Sequence, residues 1–147
     1  MGCLFMRHKT KLTLYWLDKA DESLHSAKSE LAAGRLTFAV NRLYYTMFYA
    51  VSALFVSRNQ SYGKHSAVRA ALHRDFIKTG LIDKQVGRLY DELFNARQQG
   101  DYAPLVEFDQ EVVIEQTTDV SQALPRLRRL ATQLLEGYER PKGIKHE

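Results

Sequence analysis

Apolar residues recur every three to four positions along almost the whole chain, the period of an α-helix rather than of a strand. Leu14, Leu17, Leu24 and Leu31 fall on one face of a first helix over about 10–33, with Gly34 as its stop. Leu36, Val40, Leu43, Met47, Ala50 and Leu54 form the main stripe of a second helix over about 36–58. That helix is apolar over more than half its circumference, which predicts the central, most buried element. A polar loop at 59–63 precedes a third helix over about 65–78, which turns Val68, Ala71, Leu72 and Phe76 inward. Asp83 is placed to cap a fourth helix that reaches about residue 99, where Gly100 should break it. Residues 101–108 then read as a loop around Pro104, and Asp109 caps a last helical stretch running to about 138. Pro125 lies inside that stretch and predicts a kink or two consecutive helices, because proline removes a backbone hydrogen bond. Short connections favour antiparallel neighbours, so the expected fold is all-α, an antiparallel up-and-down four- or five-helix bundle. It forms a single domain over 10–138, with a flexible start at 1–9 and a frayed tail at 139–147.

One stripe carries an exception. Val86, Tyr90 and Leu93 on the fourth helix lead to Arg97, where another apolar residue would continue the pattern. A charge aimed at a core needs a partner, and Asp101, four residues on, is the natural candidate. Two further polar clusters sit in apolar surroundings: Asn41-Arg42-Leu43-Tyr44-Tyr45 on the second helix and Lys64-His65-Ser66 at the start of the third.

Composition narrows the class. The chain has 147 residues, 45% hydrophobic and 26% charged, as an ordinary globular domain does. Its formal net charge of +4 permits contact with RNA, nucleotides or an acidic protein and requires none of them. Cys3 is the only cysteine, which rules out an internal disulfide and suits a reducing compartment. The apolar start is too short for a signal peptide, its charges follow rather than precede it, and no run approaches a membrane span. The expected setting is cytoplasmic, without a membrane.

Each cluster has a plain reading beside the functional one. Arg42 and Tyr45 share a helix face and can hold a base or phosphate by charge and stacking, while Tyr44 and Tyr49 read as core. His65, Arg69 and His73 recur at four-residue steps, but an arginine between two histidines would repel a metal, so neither metal nor cofactor is expected. His73 reads as solvent-exposed. The carboxylates Asp109, Glu111, Glu115 and Asp119, and the cations Arg126, Arg128 and Arg129, read as solvated faces. No Gly-rich phosphate loop, paired-histidine zinc motif or nucleophile elbow occurs.

Taken in order, the three clusters resemble the HEPN superfamily. Residues 39–50 are similar to that family's second helix, with its Arg-x-Tyr-Tyr-x-x-Phe pattern at Arg42, Tyr44, Tyr45 and Phe48. Lys64-His65-Ser66 resembles its Lys-His-Ser segment, and Arg97-Gln98-Gln99-Gly100-Asp101-Tyr102 its Arg-x-x-x-Asp-Tyr ending. The likeness spans roughly residues 12–134. It implies a homodimer, often paired with a minimal nucleotidyltransferase as toxin and antitoxin. It also implies a polar cleft lined by Asn41, Arg42, Tyr45, Lys64, His65, Arg97, Asp101 and Tyr102. There the arginines would hold phosphate or carboxylate groups, and Tyr102 is the candidate for modification by the transferase.

Many family members are ribonucleases that use an Arg-x(4–6)-His motif, in which histidine handles the 2′-hydroxyl proton and arginine the phosphate charge. Arg97 departs from that pattern, since Asp101-Tyr102 stands where the histidine belongs. Arg58…His65 and Arg140…His146 have permitted spacing, but about one such match is expected by chance in this composition. The leading expectation is a module that binds a nucleotide or a transferase partner without the complete ribonuclease motif. The alternative is a metal-independent RNase toxin using Arg97 with Asp101 or His65. A purely structural role for the buried arginines is the third reading.

Overall fold

The computed structural model describes the backbone of residues 2–102 and 107–139, and the side chains of 7–101 and 107–137. It is all-α: α1 Gly2–Ala32, α2 Leu36–Val56, α3 His65–Leu72, α4 Lys84–Tyr102 and α5 Gln110–Glu139. A five-residue π-turn, His73–Ile77, continues α3. Among the described residues there is no strand. α2 is the central helix and packs against α1, α3, α4 and α5. Val40, Leu43, Met47, Ala50 and Leu54 of its stripe are buried, together with Tyr44, Val51 and Phe55.

Local chemistry sets the helix ends. Gly34 takes φ +78° after α1, and its N–H and that of Arg35 donate to the carbonyls of Leu31 and Glu30 at 3.0 and 2.9 Å. This paired closure needs a left-handed residue, which glycine adopts without strain. α2 closes in the same way with Asn59 at φ 62°, where Gln60 donates to Phe55 at 2.8 Å. Asp109 caps α5 as expected: its Oδ1 accepts from the Glu111 N–H at 2.9 Å. Asp83 precedes α4 as expected, but its carboxylate accepts from Arg126 at 3.3 Å.

Five expectations are corrected. α1 begins at Gly2 rather than near residue 10, because no helix breaker separates that stretch from the helix. Its buried face runs through Thr13, Leu17, Ala20, Ser23 and Ala27, and Leu14 is 48% exposed. Small residues at 20, 23 and 27 let α1 approach α2 closely, and the Ser23 hydroxyl donates to the Arg42 carbonyl at 2.7 Å. α4 does not break at Gly100. A Cβ there would lie 3.2 Å from both Phe108 and Thr37, so the glycine serves a close approach rather than a turn. Of the two outcomes expected at Pro125, the two consecutive helices are overturned: α5 is one helix, with Ala123, Leu124 and Leu127 packed against the core. The third helix is not regular to its end, because the Lys78 N–H reaches back five residues to the His73 carbonyl at 2.9 Å. The proposed tail lies mostly outside the described residues, although Glu139 still belongs to α5.

Gly87 of α4 packs closely against side chains of the π-turn. A Cβ on that residue would meet the His73 ring at 3.0 Å and Ile77 at 3.3 Å. Gly87→Ala should therefore destabilise the protein by about 1–3 kcal/mol, against the gain of about 1 kcal/mol that alanine brings to an open helix. The midpoint of urea unfolding measures the sign, and an increase would refute the close packing.

Candidate functional site

Three elements converge on one cluster of polar and aromatic side chains, the candidate cleft. α2 supplies Asn41, Arg42, Tyr44, Tyr45 and Phe48; α3 supplies His65 from its first turn; α4 supplies Tyr90, Phe94, Arg97 and Asp101. Arg97 enters from the apolar stripe and its side chain is only 11% exposed. Its guanidinium carbon lies 4.8 Å from the centre of the Tyr44 ring and 6.0 Å from that of Tyr45. One terminal nitrogen donates to Asp101 Oδ2 at 3.1 Å, while the buried Nε has no hydrogen-bond partner. Stacking on a ring's negative face lowers the cost of holding the charge inside. It leaves donors of the planar fork unused.

Tyr44 is core, as expected, and its hydroxyl also reaches the cleft. The residue is fully buried, and its oxygen lies 3.0 Å from His65 Nδ1. Burial raises the Tyr44 pKa, so the phenol keeps its proton and can donate to that nitrogen. His65 would then carry its own proton on Nε2. Its ring is 4.4 Å from that of Phe48 and 5.8 Å from that of Tyr45. Burial, and then the charge of Arg97, lower the His65 pKa. Tyr90 lies beside Tyr44 with ring centres 5.9 Å apart, and burial raises its pKa. The Tyr90 hydroxyl couples electrostatically to Tyr44, but its geometry falls short of a hydrogen bond.

Arg42 lies at the mouth, its guanidinium carbon 5.2 Å from the centre of the Tyr45 ring. Both Nε and a terminal nitrogen donate to Asn41 Oδ1, at 3.1 and 2.8 Å. The amide is neutral, so this pairing fixes the fork without cancelling its charge. Of the residues singled out in the sequence, Asn41, Arg42, Tyr45, His65, Arg97 and Asp101 thus come together. Lys64 sits at the exposed N-cap of α3, beside His65 in the chain. The Tyr102 side chain lies outside those described, and so does the Arg140…His146 pair. Arg58 lies over the Phe76 ring at 4.5 Å.

A second polar group was not foreseen. Asp91 Oδ1 accepts from Arg69 Nε at 2.7 Å and lies 2.9 Å from His73 Nε2. His73 is consequently half-buried rather than free in solvent. The four-residue step from Arg69 to His73 placed both on one face, but Asp91 belongs to another helix and only packing brings it there. Among the described residues, no three His, Cys, Asp or Glu side chains converge as a metal site would need.

The His65 shift has a consequence for stability. Its pKa in the fold is below the ordinary 6.5, so on acidification the unfolded chain takes up this proton first. The contribution is complete above pH 6.5 and is lost progressively below it. Urea midpoints of wild type and His65→Gln, followed against pH, should converge as the pH falls below 6.5. Parallel curves would contradict the assignment.

Fold and cleft define a small helical bundle with an arginine set among tyrosines at its polar centre. Comparison with known proteins makes the class particular: residues 13–136 match the HEPN domain, and the chain belongs to the HEPN family. A Thermotoga maritima protein named "UPF0332 protein" is 47% identical over 108 residues, which are 74% of this chain and 82% of that one. A Methanocaldococcus jannaschii protein named "Putative toxin MJ0142" is 34% identical over 106 residues, 72% of this chain and 71% of its own. No described helix is long and apolar enough to cross a membrane.

Proposed function

We propose that this protein is the HEPN component of a toxin–antitoxin-type pair, and that its cleft binds a nucleotide or the phosphate-bearing site of a partner nucleotidyltransferase. The observation that carries the reading is Arg97: a nearly buried guanidinium stacked on Tyr44, with its Nε unpaired. Asp101 engages one edge of the fork and leaves the rest for an oxyanion. Arg42, charged and oriented by Asn41, offers a second phosphate contact, and Tyr45 between them offers a ring for a base. Relatives named as toxins support the setting. A cytoplasmic homodimer without a metal or organic cofactor belongs to the same proposal, and sedimentation of the purified chain tests the dimer.

The ribonuclease alternative draws on those relatives as well. Against it, Arg97 is followed by no histidine at the spacing of the ribonuclease motif, His65 Nδ1 is engaged by the Tyr44 hydroxyl at 3.0 Å, and Asp101 is engaged by Arg97 at 3.1 Å. Purified protein should bind AMP or ATP in calorimetry and leave single-stranded RNA uncut without metal. RNA cleavage that disappears in folded His65→Ala and Arg97→Ala would establish the enzyme instead. Absence of nucleotide binding together with no capture of the transferase would sink the proposed reading.

A further inference from the structure

Two polar rows that face each other across α4 and α5 repeat one spacing. Gln85, Arg88 and Glu92 fall at i, i+3 and i+7 on α4, and Asp119, Gln122 and Arg126 do the same on α5. Each set therefore lies along one helix face. Together they wall a groove of about 390 Å³ whose floor is Val86, Leu89 and Ala123. Those three are buried, so the floor is apolar and held by the core. A polar clasp closes each end. Arg126 donates to Asp83 Oδ2 at 3.3 Å at one end, and Gln116 Nε2 donates to Glu92 Oε2 at 2.6 Å at the other. From Asp83 to Glu92 the chain climbs about 14 Å at roughly 1.5 Å per residue, which sets the distance between the clasps.

The clasps put 83 beside 126 and 92 beside 116, so the helices run antiparallel and the charges sort along the groove. Arg126 and Arg88 lie towards the Asp83 end, and Asp119 and Glu92 towards the Gln116 end. Among the described residues, Arg88, Glu92 and Asp119 form no ion pair, although opposite charges line the same groove. Glu92 is held by a neutral amide, which orients the carboxylate without cancelling its charge. That hold is unfavourable in itself. Gln116 is only 5% exposed, and its Oε1 has no partner because the amide turns its donor side to Glu92. A bare buried acceptor destabilises a fold, so its retention points to the fixed carboxylate at the end of the groove.

We propose that this groove binds a small zwitterion with an apolar stem, of the class of the basic amino acids lysine and arginine. The ligand carboxylate meets Arg88 and Arg126, its side-chain cation meets Asp119 and Glu92, and its methylenes lie on the floor. A ligand with anionic groups at both ends is repelled by the carboxylates, and one with cationic groups at both ends by the arginines. An apolar ligand leaves all four charges without a partner. The groove shares no residue with the candidate cleft, so the inference stands apart from the nucleotide reading.

The full chain, labelled with nitrogen-15, is titrated with L-lysine and L-arginine and followed by NMR. Three analogues are run beside them: L-norleucine, which lacks the side-chain cation; cadaverine, which lacks the carboxylate; and L-glutamate, which reverses the side-chain charge. Saturable shifts of the Gln122 backbone amide and the Gln116 side-chain amide are expected with both basic amino acids, weakening as salt rises. Each analogue should bind about 5-fold or more weakly, since each loses contacts to two side chains. Asp119→Asn should weaken lysine binding about 2- to 5-fold, the worth of one part-exposed ion pair, and leave norleucine unchanged. Arg88→Gln should weaken both. The two side chains are exposed, and circular dichroism verifies each fold; the analogue series decides by itself if a variant is unfolded. The site is refuted if neither basic amino acid gives a saturable shift, if norleucine or cadaverine binds as well as lysine, or if the shifts lie outside the groove. It is also refuted if a lysine-containing peptide binds where the free amino acid does not, which would make the groove a docking surface for a partner chain. AMP titrated into the same samples tests the cleft separately, so either reading can fail while the other holds.

Discussion

Arg97→Ala is expected to weaken AMP or ATP binding by about 10- to 150-fold, the worth of one or two hydrogen bonds to a charged group. The direction follows from the cleft. Arg97 is the one guanidinium held inside it, its carbon 4.8 Å from the Tyr44 ring centre and its Nε still without a partner. Arg97→Lys should restore little, because an ammonium neither stacks flat on Tyr44 nor presents a fork to phosphate. Asp101→Asn should tighten binding, since it removes the anion that shares the guanidinium and would repel a phosphate. Calorimetry with AMP measures all three. A wild-type affinity in folded Arg97→Ala, or a large loss in Asp101→Asn, would move the contact to other residues and return Arg97 to a structural role.

The largest expected change in stability is at Leu43. It is fully buried in the central helix, so Leu43→Ala should cost about 2–5 kcal/mol as lost transfer energy plus a cavity. That is a large part of the roughly 5–15 kcal/mol available to a domain of ordinary stability. Leu14→Ala, by contrast, should stay within about 0.5 kcal/mol, because that leucine is 48% exposed. Urea denaturation distinguishes the pair at once. Equal costs would mean that the outer face of α1 is covered in solution by something other than solvent.

The contrast between these leucines shows where a hydrophobic pattern stops being informative. Both repeat at helical spacing, and both read as core. Leu43 is enclosed because α2 has neighbours on every side, whereas α1 meets them along the line from Thr13 to Ala27. A periodicity says that a helix has an apolar face; it does not say which of two adjacent apolar rows meets the partner. Gly100 makes the same point for backbone signals. Glycine in a helix can mark an end or a close contact, and only the positions of Phe108 and Thr37 decide between them.

The cleft was more legible than the second polar group. Arg97 broke an apolar stripe, and that single irregularity pointed to the cluster in which Asp101 and Tyr44 partner its charge, because a charge is placed in a core only with partners. Arg42, Tyr45 and His65 could be added from their unusual surroundings and from the resemblance to a known family. Asp91 could not, since one carboxylate on an ordinary helix carries no local sign that Arg69 and His73 will pack against it.

By itself, then, the chain determined its all-α class, the helix at its centre, the caps at Gly34 and Asp109, and the family to which it belongs. These depend on short-range geometry: the 3.6-residue period, the few residues that tolerate a helix end, and motifs read in order. The tertiary structure decided which rows are buried, that α4 continues through Gly100, and that the Tyr44 hydroxyl reaches His65. It also decided that polar rows of α4 and α5 face one another across one groove. Those outcomes depend on atoms far apart in the chain and within a few ångströms in space, a relation that no local pattern encodes.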